Sequence, residues 1–191
     1  MVSIYSSYVF FKENRNLILI LSLLVIESSF CIHSTFSMAT EFKLERYQGK
    51  WYEIARFKNP FQKKCFKNVT AEYQLLDNGM INVVNKCERK NDERDIVTGL
   101  ARIQDENDHS KLEVSFFDIF GWRPIWGDYW VLYVDPIYSW SVVGDRKRQY
   151  GWILSRNPTL SSSNLDRAKL ILDKNGYDST ALLITSNDDE N

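Results

Sequence analysis

Between Lys50 and Arg156 the chain is cut into eight short runs rich in Val, Ile, Tyr and Phe, with turn clusters between them and no helical periodicity in the span. The runs cover residues 51–57, 68–76, 80–87, 95–103, 112–117, 129–134, 139–143 and 149–156. Runs of this length and composition read as β-strands. Asp77-Asn78-Gly79 is a hairpin turn by chemistry, because Asn and Gly tolerate the positive φ it requires. Asp105-Glu106-Asn107-Asp108-His109-Ser110 is a more polar turn, and Asp135-Pro136 sets a third because Pro cannot continue a ladder. Sequential strands with short links predict an all-β fold, an eight-stranded antiparallel up-and-down β-barrel that removes its sheet edges and encloses room for one small ligand. A two-sheet sandwich shares the local signals. Simple hairpin connectivity, and a terminal helix free to pack outside, favour the barrel.

That helix follows the last run. Ser163 is the expected N-cap with Asp166 three residues on, Leu165, Ala168 and Leu172 share one face, and Asn175-Gly176 stops it. A last short strand is expected at residues 181–184, then a mobile acidic tail at 186–191.

The first 39 residues read as a signal peptide or leader. Lys12 and Arg15 precede a ten-residue apolar run, Leu17 to Ile26, too short to span a bilayer and suited to an export signal, with Ser37-Met38-Ala39 offering small residues for cleavage. The rival reading is a lipoprotein signal cut before Cys31, although Phe30 stands where a small residue is wanted. The main domain then runs over 40–185. Export leaves Cys65 and Cys87 as an even pair in an oxidising compartment, either bridged or present as two buried thiols. Removing the leader leaves the formal charge at −1, since it carries two bases and two acids (Glu13 and Glu27), so bulk charge gives no case for nucleic-acid binding. Two cysteines without a placed histidine make no metal site, and no cofactor is expected.

Strand parity assigns the ends of the barrel. Trp51 opens the first strand at one rim, here the bottom, and successive turns alternate, so Arg156 ends the eighth strand beside it. A guanidinium over an indole contributes about 0.5–2 kcal/mol and can also donate to carbonyls, which would close the bottom.

Three motifs at these positions carry a resemblance. Gly49-x-Trp51-Tyr52-Glu53-Ile54-Ala55, Asp135-Pro136-Ile137-Tyr138 and Trp152-Ile153-Leu154-Ser155-Arg156 stand in order and at barrel spacing. The chain resembles the lipocalin family, and within it the branch of bacterial lipocalin (Blc), plant temperature-induced lipocalin and apolipoprotein D. The resemblance spans residues 42–177. It implies a calyx that binds or carries a small apolar ligand, fatty acids or lysophospholipids in this branch. Gly49, Trp51, Asp135, Tyr138 and Arg156 would serve as its structural motif residues.

Regular alternation from Trp51 turns Glu53, Ala55 and Phe57 inward, and Tyr52, Ile54 and Arg56 outward. The buried Glu53 carboxylate then needs a partner, expected to be a nearby tyrosine hydroxyl. Glu53, Ala55, Phe57, Tyr73, Phe116, Trp122, Trp126 and Tyr129 are the candidate ligand contacts. At the top rim bases predominate. Lys64, Arg123, Arg146, Lys147 and Arg148 are the candidate partners of an anionic head group or an anionic membrane surface. The run from Phe116 to Trp126 is unusually apolar for a loop, and reads as a mouth flap or a surface for self-association into a homodimer. Asn68-Val69-Thr70 is a glycosylation sequon.

An enzyme lacks its usual groups here. His33 lies in the leader, His109 in a polar turn, and there is no Gly-x-Ser-x-Gly elbow. Two alternatives stay open: a thiol-dependent isomerase using an unpaired cysteine, and an outer-membrane lipoprotein for membrane maintenance anchored through Cys31.

Overall fold

The computed structural model describes residues 42–188. The leader with Cys31, and the last three residues, lie outside the described residues. A single helical turn α1 (Leu44–Tyr47) leads into β1 (Gly49–Arg56), β2 (Lys67–Leu75), β3 (Ile81–Glu88), β4 (Arg94–Ile103), β5 (Lys111–Ser115), β6 (Gly127–Val134), β7 (Trp140–Gly144) and β8 (Gly151–Ser155). Helix α2 (Ser162–Lys174), a 3₁₀ turn (Ser179–Ala181) and β9 (Leu183–Ile184) complete the chain. Neighbouring strands pair antiparallel in sequence order, and β1 pairs with both β8 and β2, which closes an eight-stranded barrel with β9 as an extra strand.

The turns form for the reasons their residues give. Gly79 takes φ 79° while Asn78 Oδ1 accepts the Met80 N–H. At the β6–β7 turn the Asp135 carboxylate accepts N–H groups from Ser139 and Trp140, and Tyr138 sits at φ 61°. Cys65 and Cys87 form a disulfide with Cα atoms 5.5 Å apart, tying the β1–β2 loop to the end of β3.

Two apolar clusters lie on the two sides of the wall. The inner one gathers Trp51, Tyr73, Ile81, Val83, Ala101, Leu112, Val131, Val143 and Leu154 around Leu44 and Tyr47 of α1. The outer one holds Ile54, Ala55, Phe57, Trp140, Val142 and Ile153 against Ala168, Ile171 and Leu172 of α2. Strand β7 is buried along its whole length because it stands between both, so its sequence lacks the alternation of a half-exposed strand. Helix α2 is capped by Ser161, whose Oγ accepts the Asn164 N–H, rather than by Ser163, and Asp166 makes no capping box. The first turn begins one residue after Ser161, as the Leu165 N–H bond to its carbonyl shows. Gly176, at φ 83°, ends the helix, and Arg148 Nε donates to the Asn175 carbonyl at 2.6 Å.

The wall departs from regularity in β1. Glu53 pairs with Leu154, but the next partner of β8, Ile153, faces Ala55, so Ile54 is an extra residue forming a β-bulge. Ile54 and Ala55 therefore both face outward, Phe57 follows them, and Arg56 turns inward. Beyond Tyr52, β1 also loses β2, and β9 fills the gap, pairing Ala55 with Ile184 and Arg56 with Leu183. The segment after β9 is clasped. Ser186 bridges Lys67, Asn187 Nδ2 donates to the Glu53 carbonyl, and Asp188 accepts from Asn68 Nδ2 and Lys67 Nζ. Residues 186–188 are thus held, in contrast to the mobile tail expected from composition, and the sequon amide of Asn68 is one of the groups that holds them.

Candidate functional site

The floor of the barrel is a plug. Trp51 is fully buried, its Nε1 donates to the Tyr47 carbonyl at 2.8 Å, and the Arg156 guanidinium carbon lies 3.9 Å from its ring centroid. Arg156 also donates to the carbonyls of Tyr138, Lys50, Arg46 and Gln48. Gly49 makes this possible. It takes φ 88°, and an added Cβ would lie 3.4 Å from Arg156 Nη1. Tyr138 receives the Lys43 N–H on its hydroxyl and the Arg46 guanidinium over its ring.

Above the plug stands a chain of hydroxyls. Ser141 Oγ, Tyr47, Tyr129 and Tyr73 follow one another at 3.0, 3.1 and 2.7 Å. Four hydroxyls bring four protons to three bonds, so one proton remains for water or an occupant. Burial pushes Tyr47 up to about 12, and Tyr73 and Tyr129 well above the usual tyrosine value. Tyr129 is the phenol of the three that is only partly buried.

Over this chain the inner face becomes accessible to solvent. Val83 of β3 faces Gly99 of β4 and is 2% exposed; one step higher on the same face, Val97 opposite Asn85 is 44% exposed. The cause is the shortness of β5. Its ladder with β4 stops at Leu100 and Ser115, so β4 from Arg94 to Gly99 has no β5 partner. Phe116 leans into that gap, where a Cβ on Gly99 would meet its ring at 2.6 Å.

The sequence-derived contacts separate on this frame. Tyr73, Tyr129 and Phe116 face the interior. Ala55 and Phe57 do not. The bulge at Ile54 turns them under α2, where Phe57 stacks on Tyr177 with centroids 5.5 Å apart. Trp126 is also outside, its ring 4.1 Å from the Arg102 guanidinium carbon and its Nε1 bound to the Arg123 carbonyl. Trp122 is exposed on the loop tip with Phe117, Phe120 and Ile125. Glu53 faces inward but its partners are not tyrosines. Arg56 Nη1 and Thr185 Oγ1 donate to Oε1, and Gln62 Nε2 donates to Oε2 at 2.6 Å. Both carboxylate oxygens are engaged by protein.

The basic rim separates likewise. Arg123 is bound to the Ser115 carbonyl and Asp118, Arg146 lies 3.6 Å from Asp128, and Arg148 caps α2. Lys64 and Lys147 have no side-chain ion pair among the described residues. Lys64 lines a shallow hollow with Lys63, Phe66, Arg89 and Lys90 beside the disulfide. A second hollow, of about 510 Å³, lies on the outer wall around Tyr52, with Lys50, Lys86 and Arg94 facing Glu72, Glu88 and Asp188. Its balanced charges do not suit an apolar chain.

The residues that sequence reading missed are Arg56, Gln62, Thr185 and Trp152. Gln62 Oε1 accepts from Trp152 Nε1 at 3.0 Å while its amide holds Glu53, so the β1–β2 loop folds onto the interior. One signal was present. An acid and a base three apart fall on opposite faces of a regular strand, so a Glu53–Arg56 pair requires a bulge.

Comparison with known proteins meets this geometry. A lipocalin-like domain model matches residues 42–187. The chain is a lipocalin. Temperature-induced lipocalin-1 of Arabidopsis thaliana is 37% identical over 149 residues, 76% of this chain and 80% of its own length. Outer membrane lipoprotein Blc of Citrobacter freundii is 36% identical over 150 residues, 77% of this chain and 80% of its own. Apolipoprotein D of Rattus norvegicus is 33% identical over 144 residues, 72% of each. Among solved structures, insecticyanin from the tobacco hornworm Manduca sexta superposes with a TM-score of 0.61 at 19% identity, covering 78% of this lipocalin and 82% of that chain. Lobster apocrustacyanin A1 gives a TM-score of 0.59 at 19% identity over 74% and 78%. At that identity the likeness is one of fold. Lipocalins are generally proteins that bind or transport small hydrophobic molecules, and this lipocalin has a plugged floor and, above it, an inner face that is solvent-exposed at Val97.

Proposed function

We propose that this lipocalin binds and carries a single-chain lipid, a fatty acid or lysophospholipid, with its acyl chain in the calyx. The observation that carries the reading is the jump in exposure along the inner face of β3 and β4, from sealed at Val83 to open at Val97. An acyl chain entering there meets Val97, Val114, Phe116 and Trp152, and ends over Tyr129. A few polar groups among apolar walls are what a lipid pocket needs. The Cys65–Cys87 disulfide, which leaves neither as a free thiol, supports this reading over the thiol-isomerase alternative. Native mass spectrometry of the protein from its own source, followed by lipid extraction, tests the reading. One single-chain lipid per protein is expected; protein that stays empty when offered such lipids would contradict it.

The exposed Phe117, Phe120, Trp122 and Ile125, on the same rim as Lys64 and Lys147, support collection of the ligand from an anionic membrane. Export through the leader agrees with that route. Flotation with phosphatidylglycerol vesicles should recover the protein at low salt and lose it on Trp122→Asp. A dimer by light scattering, abolished by the same change and without vesicle binding, would reassign the patch to self-association.

A further inference from the structure

The calyx has a donor site that alternation in the sequence conceals. Strand β1 turns Arg56 inward after the bulge, opposite Trp152, which packs on the inner cluster. Its side chain is 14% exposed. Nη1 is committed, donating to Glu53 Oε1 and to Thr185 Oγ1 at 3.2 Å. Nε and Nη2 have no acceptor among the described residues, and they are not sealed either. Among the described residues, the sealed polar side-chain atoms without a partner are Arg89 Nε and Asn187 Oδ1.

The free edge is the informative one. Nε–H and Nη2–H are the two parallel donors of a guanidinium, spaced to chelate both oxygens of a carboxylate or two of a phosphate. The committed edge fixes the plane, because Glu53 is held in turn by Thr185 and Gln62, and the Glu53 carbonyl by Asn187. A fork held this way loses little freedom on binding. Glu53 offsets the charge of Arg56, so geometry does the selecting, and a two-oxygen anion gains two charge-assisted bonds where an alcohol gains one weaker contact. Of the basic rim, Arg123, Arg146 and Arg148 are engaged with protein groups.

Resting on the calyx reading above, we propose that Arg56 is the head-group receptor of this lipocalin, its Nε/Nη2 edge chelating the oxyanion of a single-chain lipid inside the mouth rather than on the rim. It stands at the end of β1 toward the top rim, so the head group is held near the opening and the chain points toward Tyr129.

The test is displacement of the neutral probe N-phenyl-1-naphthylamine by palmitate, by hexadecanol and by inorganic phosphate. Wild type should bind palmitate tighter than hexadecanol. Glu53→Gln/Arg56→Gln removes both charges of the pair together and leaves no carboxylate stranded. It should weaken palmitate about tenfold to a hundredfold, the worth of one or two hydrogen bonds to a charged group, and weaken hexadecanol only about twofold to fivefold, the worth of its one weaker contact. Arg56→Lys keeps the charge but not the fork, and should lose most of the palmitate advantage. Phosphate at millimolar concentration should displace nothing; displacement would make this a free-anion site and overturn the lipid assignment. Equal affinities in wild type, unchanged palmitate binding in the double variant, or equal loss of both lipids in a variant with wild-type circular dichroism would each overturn the role of Arg56. If neither lipid displaces the probe from wild type, the calyx reading fails first and takes this one with it.

Discussion

Arg156→Ala removes the cover of the floor without touching the proposed ligand path, so it separates stability from binding. The side chain makes four bonds to carbonyls and one cation–π contact at 3.9 Å. It is half-buried, and water can replace part of what is lost, so each bond is counted near the lower end of its usual worth. Four such bonds and the indole contact sum to about 3–4 kcal/mol. For a domain of this size that lowers the melting temperature by about 8–15 °C, read by circular dichroism with urea unfolding as the second measure. Lysine keeps the charge but reaches fewer carbonyls, so Arg156→Lys should recover no more than about half. Trp51→Ala, at a fully buried site, should cost about 3–5 kcal/mol. Because the two residues touch, the double variant should fall short of additivity by about 0.5–2 kcal/mol. A loss under about 1 kcal/mol for Arg156→Ala, or full recovery by lysine, would refute the carbonyl-clamp account of the floor.

Three further outcomes follow from the structure. Tyr47 is raised from 10 to about 12, so its neutral form is favoured in the fold; the stability this represents is intact below pH 10 and is lost as pH rises through 12, about 2–3 kcal/mol for this residue alone. The phenolate absorbance of Tyr47, Tyr73 and Tyr129 should therefore appear late and together with unfolding, and ionisation of every tyrosine in a still-folded protein would contradict the buried chain. Reducing the Cys65–Cys87 bridge, which closes a separation of 22 residues, should cost about 3 kcal/mol in the chain-entropy model, measured by urea unfolding with and without reductant. Gly144→Ala would put a Cβ 2.1 Å from the Tyr177 hydroxyl, which donates to the Asp145 carbonyl and accepts its N–H, so it should destabilise by at least about 1–3 kcal/mol by displacing that tyrosine. Full stability would show that Tyr177 does not hold that loop.

The fold was legible because its punctuation is local. Asn78-Gly79, Asp135-Pro136 and Asn175-Gly176 each name a turn or a stop, and the spacing between them fixes strand number and parity. Parity alone brings Trp51 to Arg156 across the length of the chain. The site was less legible because it depends on breaks in regularity. The bulge at Ile54 has no glycine to announce it, and it exchanges Ala55 and Phe57 for Arg56 on the inner face. Trp126 looks like a ligand contact by composition, yet Arg102, a whole strand away in sequence, holds it outside. Residues 186–188 look like a loose acidic end, yet the gap that β1 leaves beside β2 gives them a berth. Each of these is decided by a tertiary partner, and apart from the Glu53–Arg56 pair no window of sequence contains both members.

The crystal structure of the protein with palmitate tests the central claim most directly. The account predicts the acyl chain inside the barrel, its carboxylate within hydrogen-bond reach of Arg56 Nε and Nη2, and its methyl end above Tyr129. Palmitate found only in the hollow around Tyr52 on the outer wall, with the calyx unfilled, would contradict it.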